Sequence, residues 1–213
     1  GESDEDGFIS IFTPDGELVY STYISADKRD QVFRLTVDEE GYVYAAGMTS
    51  SSSFPLVNPA QRIYGGGWDD CFVLKLDPWN NELVYSTFLG GEKADECWGL
   101  AVDDSGRAYV TGQTESRDFH LANPLQPLYG GGETDAFVAK LGVHGNRLIY
   151  STFVGGSGSD RGWDLALDSG GNVYVVGGTS SASDFPIVNA LQRRYGGGES
   201  DAFLLHLDPT GVL

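Results

Sequence analysis

Aspartate is the residue type whose placement in this sequence most invites a chemical reading. Asp30, Asp95 and Asp160 form one recurring set, and Asp70, Asp135 and Asp201 a second. Carboxylates beside glycine-rich turns can accept the backbone N–H groups of the loop, or they can supply oxygens to a hard cation such as calcium. A calcium loop ordinarily alternates its ligands as Asp-x-Asp-x-Asp-Gly, and no such run occurs here. The six are therefore read first as loop anchors and second as candidate calcium ligands. No other cofactor is expected.

Catalysis at a single site would need residues that break the repetition. The three histidines do so. His144 and His206 have no evident nucleophile beside them, whereas His120 lies near Asp118. Trp68 and Trp79 are large aromatics without counterparts elsewhere, and a sugar ring could stack on either. Neighbouring carboxylates such as Asp69 and Asp70 do not by themselves make a glycosidase pair, because only their separation across the fold could decide that. GxSxG and HExxH are missing, and the Gly-Gly-Gly triplets lack the Lys-Ser/Thr of a phosphate loop. Trp68, Asp69, Asp118 and His120 remain as candidate ligand-binding residues on a non-catalytic protein.

These residues must be held by repeated elements. Tyr20, Tyr85 and Tyr150, each in Leu-(Val/Ile)-Tyr-Ser-Thr, recur at an interval of 65 residues, as do Tyr44, Tyr109 and Tyr174. Tyr-Gly-Gly-Gly begins at Tyr64, Tyr129 and Tyr195. Within one copy, four short β-rich runs separated by Asp/Gly turns predict four antiparallel strands, A to D. In the middle copy these are Cys97–Val102, Arg107–Gln113, Asp135–Leu141 and Arg147–Val154. Four-stranded units in tandem predict an all-β chain of β-propeller blades. The division is 1–30 (strands C and D), 31–95, 96–160 and 161–213 (strands A, B and C), about three blades in one continuous domain. Long B–C loops at 49–69, 114–134 and 179–200 should be ordered by Phe54, Phe119 and Phe185. Trp98, Trp163 and the matching Phe33 are expected in the core between blades. Asp38, Asp103 and Asp168 are expected as Asx-turn residues.

The unit resembles the bacterial SBBP repeat, whose name stands for seven-bladed beta-propeller. The resemblance is carried by Asp-Ala-Phe-Val-Ala-Lys-Leu at 135–141, Leu-Ile-Tyr-Ser-Thr-Phe-Val-Gly-Gly at 148–156, the 165–177 run and Ser-Asp-Phe-Pro at 183–186. It implies a β-propeller fold and a large secreted or surface-anchored bacterial protein. Ser25-Ala26 replaces Gly-Gly in the first copy, and His120 replaces proline in the second. Gly1-Glu2-Ser3-Asp4 matches 198–201, and both ends fall within a blade, which predicts either an excerpt of a larger propeller or a subunit that borrows strands.

A formal charge of −18 opposes nucleic acid and anionic bilayers as partners, and no apolar run reaches the ~20 residues of a membrane span. A glycan, a protein or further copies of the chain are the expected partners. Cys71 and Cys97 form neither a CxxC pair nor a zinc cluster, leaving two buried thiols or one disulfide. The sequence thus points to an extracellular or cell-surface scaffold or adhesion module. The alternatives are a strand-exchanging filament or oligomer subunit and a polysaccharide-acting enzyme.

Overall fold

The computed structural model describes residues 5–212, so the match of Gly1-Glu2-Ser3-Asp4 to 198–201 lies outside the described residues. Thirteen strands are described, grouped in four antiparallel sheets. The first sheet pairs β1 (Gly7–Phe12) with β2 (Leu18–Ile24). The second runs β3 (Asp30–Val37), β4 (Val43–Thr49), β5 (Asp70–Asp77), β6 (Glu82–Leu89). The third repeats this order with β7 (Asp95–Val102), β8 (Ala108–Thr114), β9 (Asp135–Leu141) and β10 (Leu148–Val154). The fourth has β11 (Asp160–Leu167), β12 (Val173–Thr179) and β13 (Asp201–Leu207).

Turn chemistry explains the folding back of each strand. After β3, Asp38 Oδ1 accepts the N–H of Tyr42, and Gly41 supplies the positive φ of +87° that closes the turn. Asp103 accepts the N–H groups of Ser105 and Arg107, and Asp168 those of Gly170 and Asn172, so each acts as an Asx-turn residue. The Tyr44, Tyr109 and Tyr174 hydroxyls donate to these same aspartates, which ties the second strand of each blade to its own turn.

Three hydrophobic clusters fill the three junctions between sheets. Ile9 and Ile24 pack with Val43, Phe72, Leu74 and Phe88 at the first. Tyr44, Val73 and Tyr85 meet Leu100, Val110 and Phe137 at the second. Tyr109, Val138 and Tyr150 meet Leu165, Val175 and Leu205 at the third. Because side chains alternate across a strand, β4 gives Val43 and Ala45 to one neighbour and Tyr44 and Ala46 to the other, and it is buried along its whole length. Each blade therefore completes the core of the next.

The expectation for Trp98, Trp163 and Phe33 is corrected. The register shifts between Val32 and Arg34, between Cys97 and Gly99, and between Gly162 and Asp164, so these aromatics sit at β-bulges. A bulge adds one residue and changes which face the following side chains take. Cys97 and Leu100 accordingly hold the core, whereas Trp163 is 47% exposed and the half-buried Trp98 donates to Glu96 Oε2 at 2.8 Å.

Cys71 of β5 and Cys97 of β7 form a disulfide, with Cα atoms 5.2 Å apart, that ties the second sheet to the third. The corresponding positions at the next junction are Ala136 and Gly162. A closed segment of this size restricts the unfolded chain by roughly 3 kcal/mol. Cys71→Ala with Cys97→Ala is expected to lower the unfolding free energy by about 2–4 kcal/mol, measured by urea denaturation of an oxidised sample. Equal midpoints for the two proteins would contradict this.

Candidate functional site

The recurring aspartates are brought together at the blade junctions. Asp95 and Asp160 open β7 and β11, and their Oδ2 atoms accept the N–H groups of Gly91 and Gly156 at 2.7 and 2.8 Å. Each also accepts a serine hydroxyl, from Ser116 at 2.9 Å and from Ser181 at 2.7 Å. Asp30 repeats the pattern with the N–H of Ala26 at 2.6 Å and the hydroxyl of Ser51. Asp70 and Asp135 open β5 and β9 and accept the N–H groups of Gly65 and Gly130 at 2.7 and 2.6 Å, and Asp201 accepts that of Gly196. All six thus anchor loops, glycine-rich in every case except that of Asp30, which holds Ser25-Ala26 in place of Gly-Gly.

Two pairs converge from neighbouring blades. A methyl group on Gly90 would lie 2.7 Å from Asp70 Cγ and 2.8 Å from Asp95 Oδ2. On Gly155 it would lie 2.7 Å from Asp135 Cγ and 2.9 Å from Asp160 Oδ2. The four carboxylates are buried, and the Oδ1 atom of each has no hydrogen-bond partner. Burial is the main cause that pushes Asp70, Asp95 and Asp135 up to about 7, and the facing aspartate adds to it at Asp70 and Asp135. Asp160 is raised by burial in the same way. Calcium requires about six to eight oxygens. Among the described residues no group of three or more His, Cys, Asp or Glu side chains gathers to hold a metal. The chemistry these pairs can do is to hold protons between blades.

The residues singled out on the long loops differ in burial and in hydrogen bonding. Asp69 is buried, and its Oδ2 accepts from Arg29 Nη2 at 2.7 Å, although burial still raises its pKa. Asp118 Oδ1 accepts the N–H of Glu92 at 3.0 Å, just as Asp184 Oδ2 accepts that of Ser157 at 3.0 Å. His120 is half-buried, with its pKa lowered by burial, and no hydrogen bond joins it to Asp118 among the described residues. Trp68 stands apart, 77% exposed beside the buried Asp69. Trp79 is also exposed, at the turn between β5 and β6 and close to Gly41.

The loops themselves are rigidly held. Phe54 stacks on Phe72 with ring centroids 4.6 Å apart, and Phe119 on Phe137 at 4.5 Å. Val57 exchanges two backbone hydrogen bonds with Ser86 of β6, as Ala122 does with Ser151 of β10. The Gln61 and Gln126 N–H groups donate to the hydroxyls of Thr87 and Thr152, and their side-chain oxygens accept from Gly90 and Gly155. This glutamine clamp is a role the sequence shows only as a recurring residue. An apolar cavity of about 370 Å³ also lies between β10 and the fourth sheet, lined by Leu125, Phe153, Pro186 and Leu205. Gln126 is the one polar side chain in its lining, which leaves little to orient a reacting group.

A pH dependence follows from the paired aspartates. A carboxyl raised from 3.8 to about 7 on folding stays protonated where the unfolded chain has ionised, so its stabilising effect is complete below about pH 4 and is lost as pH rises through 7. Asp77, Asp168 and Asp208, held low chiefly by side-chain hydrogen bonds from Asn80, Asn172 and Thr210, act oppositely and weaken the fold below about pH 4. The thermal midpoint is expected to peak near pH 5 and to fall by at least ~5 °C toward pH 8. Asp70→Asn with Asp135→Asn should reduce that fall. A slope unchanged by the two substitutions would assign it to other groups.

No curated protein matches the chain. A solved structure of a protein of unknown function from Bacteroides caccae is similar at 14% identity, covering 97% of this chain and 57% of its own, with a TM-score of 0.43. The chain thus spans less than two thirds of that protein's length. The β-propeller repeat model SBBP matches residues 19–55 and 84–120, each running from the last strand of one sheet through two strands of the next into its long loop. These two segments match the SBBP β-propeller repeat, and the four-stranded antiparallel sheets to which they contribute have the form of propeller blades.

Proposed function

We propose that the chain is a non-catalytic, extracellular bacterial scaffold that presents its long-loop side to a glycan or protein partner. The observation that carries this reading is Trp68. Its indole is 77% exposed, on a loop whose other anchors are buried. Holding a large aromatic in water on a rigid support lowers the ordering cost of binding, and an indole face suits a sugar ring or an apolar side chain. Ile63 and Leu128, at equivalent positions of two successive loops, are also exposed. The Cys71–Cys97 disulfide supports an oxidising compartment, and the charge of −18 supports a soluble surface that avoids anionic polymers.

An enzyme acting on polysaccharide through Asp118 and His120 has less support, because the contact of Asp118 recurs at Asp184 as a loop anchor. The test is a glycan array and a surface-protein panel probed with the chain and with Trp68→Ala. A partner retained by the chain is expected to bind at least ~10-fold more weakly to the variant, with the unfolding midpoint unchanged. Equal binding by both proteins, or hydrolysis of an arrayed glycan, would overturn the proposal.

A further inference from the structure

Matched backbone hydrogen bonds fix which residues of successive sheets correspond. Ser50 and Glu115 donate their N–H groups to the carbonyls of Arg29 and Ala94, both at 2.9 Å. Asp30, Asp95 and Asp160 donate theirs to the carbonyls of Glu5, Asp69 and Thr134 at 2.7, 2.8 and 2.7 Å. Met48 pairs with Cys71 and Gln113 with Ala136, in the same register. Ala94, Gln113 and Thr134 of the third sheet therefore hold the places of Arg29, Met48 and Asp69 in the second. There a guanidinium fills the space between the positions. Arg29 Nη2 donates to Asp69 Oδ2 at 2.7 Å and to Met48 Sδ at 3.7 Å. In the third sheet Ala94 brings no such group, and Gln113 Oε1 and Thr134 Oγ1 are both buried without a hydrogen-bond partner. Thr134 is 2% exposed. Buried polar atoms are costly to leave unpaired, so a group that reaches them is favoured.

The surroundings limit what that group is. Glu96 accepts the Trp98 indole N–H at 2.8 Å and Gln113 Nε2 at 3.2 Å, which leaves the amide oxygen of Gln113 for another donor. Ala94, Glu96, Trp98 and Gln113 are each half-buried, so the place is reached from solvent. Arg161, exposed and next after Asp160, stands where Gln31 donates to Glu5 and where the Glu96 charge adds to the effect of burial on Asp69. Its guanidinium is thus on the Thr134 side. With Arg161 on one side and Glu96 on the other, a neutral ligand that both donates and accepts is matched better than a cation or an anion.

We propose that Ala94, Gln113, Thr134 and the face of Trp98 form a site for one neutral sugar residue, held where Arg29 stands in the second sheet. One ring hydroxyl donates to Gln113 Oε1, and its neighbour shares a hydrogen bond with the Thr134 hydroxyl and accepts from Arg161. Two adjacent hydroxyls have nearly the reach of the two guanidinium nitrogens they replace. The indole of Trp98 offers a flat apolar wall to the C–H side of the ring. Trp68 belongs to the preceding loop and contributes no group, so this site and the loop-side reading stand or fall separately.

Isothermal titration of the whole chain with the methyl glycosides of glucose, galactose, mannose and N-acetylglucosamine tests the site. Saturable binding of at least one is expected. Ala94→Arg with Thr134→Asp rebuilds the Arg29–Asp69 pair in the third sheet and should weaken that binding at least ~10-fold. Thr134→Val should weaken it about 3–10-fold, the effect of one lost hydrogen bond. Trp68→Ala should leave it unchanged. Thr134→Val preserves the size of the side chain, so it decides the matter if the double variant has a lowered thermal midpoint. Absence of saturation with all the glycosides, binding unaltered by Thr134→Val, or binding lost with Trp68→Ala would overturn the proposal.

Discussion

The two junctions that flank the third sheet depend on the close approach of successive blades at Gly90-Gly91 and Gly155-Gly156. Any side chain on Gly90 or Gly155 would meet the carboxylates of both flanking blades, and one on Gly91 or Gly156 would meet Asp118 or Asp184. Removing Cβ at these points lets two strands begin side by side, with their first residues turned toward the connecting loop. The aspartates then occupy the loop N–H groups that would otherwise be buried without partners. The hydrophobic clusters supply most of the cohesion between sheets, and the glycine and aspartate pattern fixes how the sheets meet.

The same arrangement buries the recurring carboxylates of the two junctions that flank the third sheet. Asp70, Asp95, Asp135 and Asp160 each have Oδ2 committed to a backbone N–H, and their Oδ1 atoms are buried without a hydrogen-bond partner. What varies from copy to copy lies outward instead: Trp68 has no equivalent, and Ile63 and Leu128 give way to Arg194 in the third loop. Variation on an invariant support is the usual arrangement of a binding surface.

Much of the architecture was legible because the tyrosine and Tyr-Gly-Gly-Gly markers repeat with almost no slippage. The strand positions, the Asx turns and the anchoring role of Phe54 and Phe119 follow from local chemistry, and local chemistry is what a sequence displays. The bulged aromatics were not legible. Alternation puts Trp98 with Leu100 on one face, but the inserted residue between Cys97 and Gly99 breaks the phase, and no residue type at that position announces it. The meeting of Asp70 with Asp95, and of Asp135 with Asp160, was hidden for another reason. It arises between blades, where distance is set by the stacking of whole sheets. The disulfide was hidden likewise, since only the Cα separation could distinguish a bond from two thiols.

That covalent bond makes the stack unequal along its length. Both junctions flanking the third sheet have the same glycines, aspartates and packing, but only the one toward β5 is locked by sulfur. The lock also encloses β6, because the chain from Cys71 to Cys97 passes through that strand. A pull or a thermal fluctuation that peels sheets away from the β13 side can detach the fourth sheet by breaking noncovalent contacts alone. Peeling then halts, because the second and third sheets can separate only as far as a single bridged pair of residues permits.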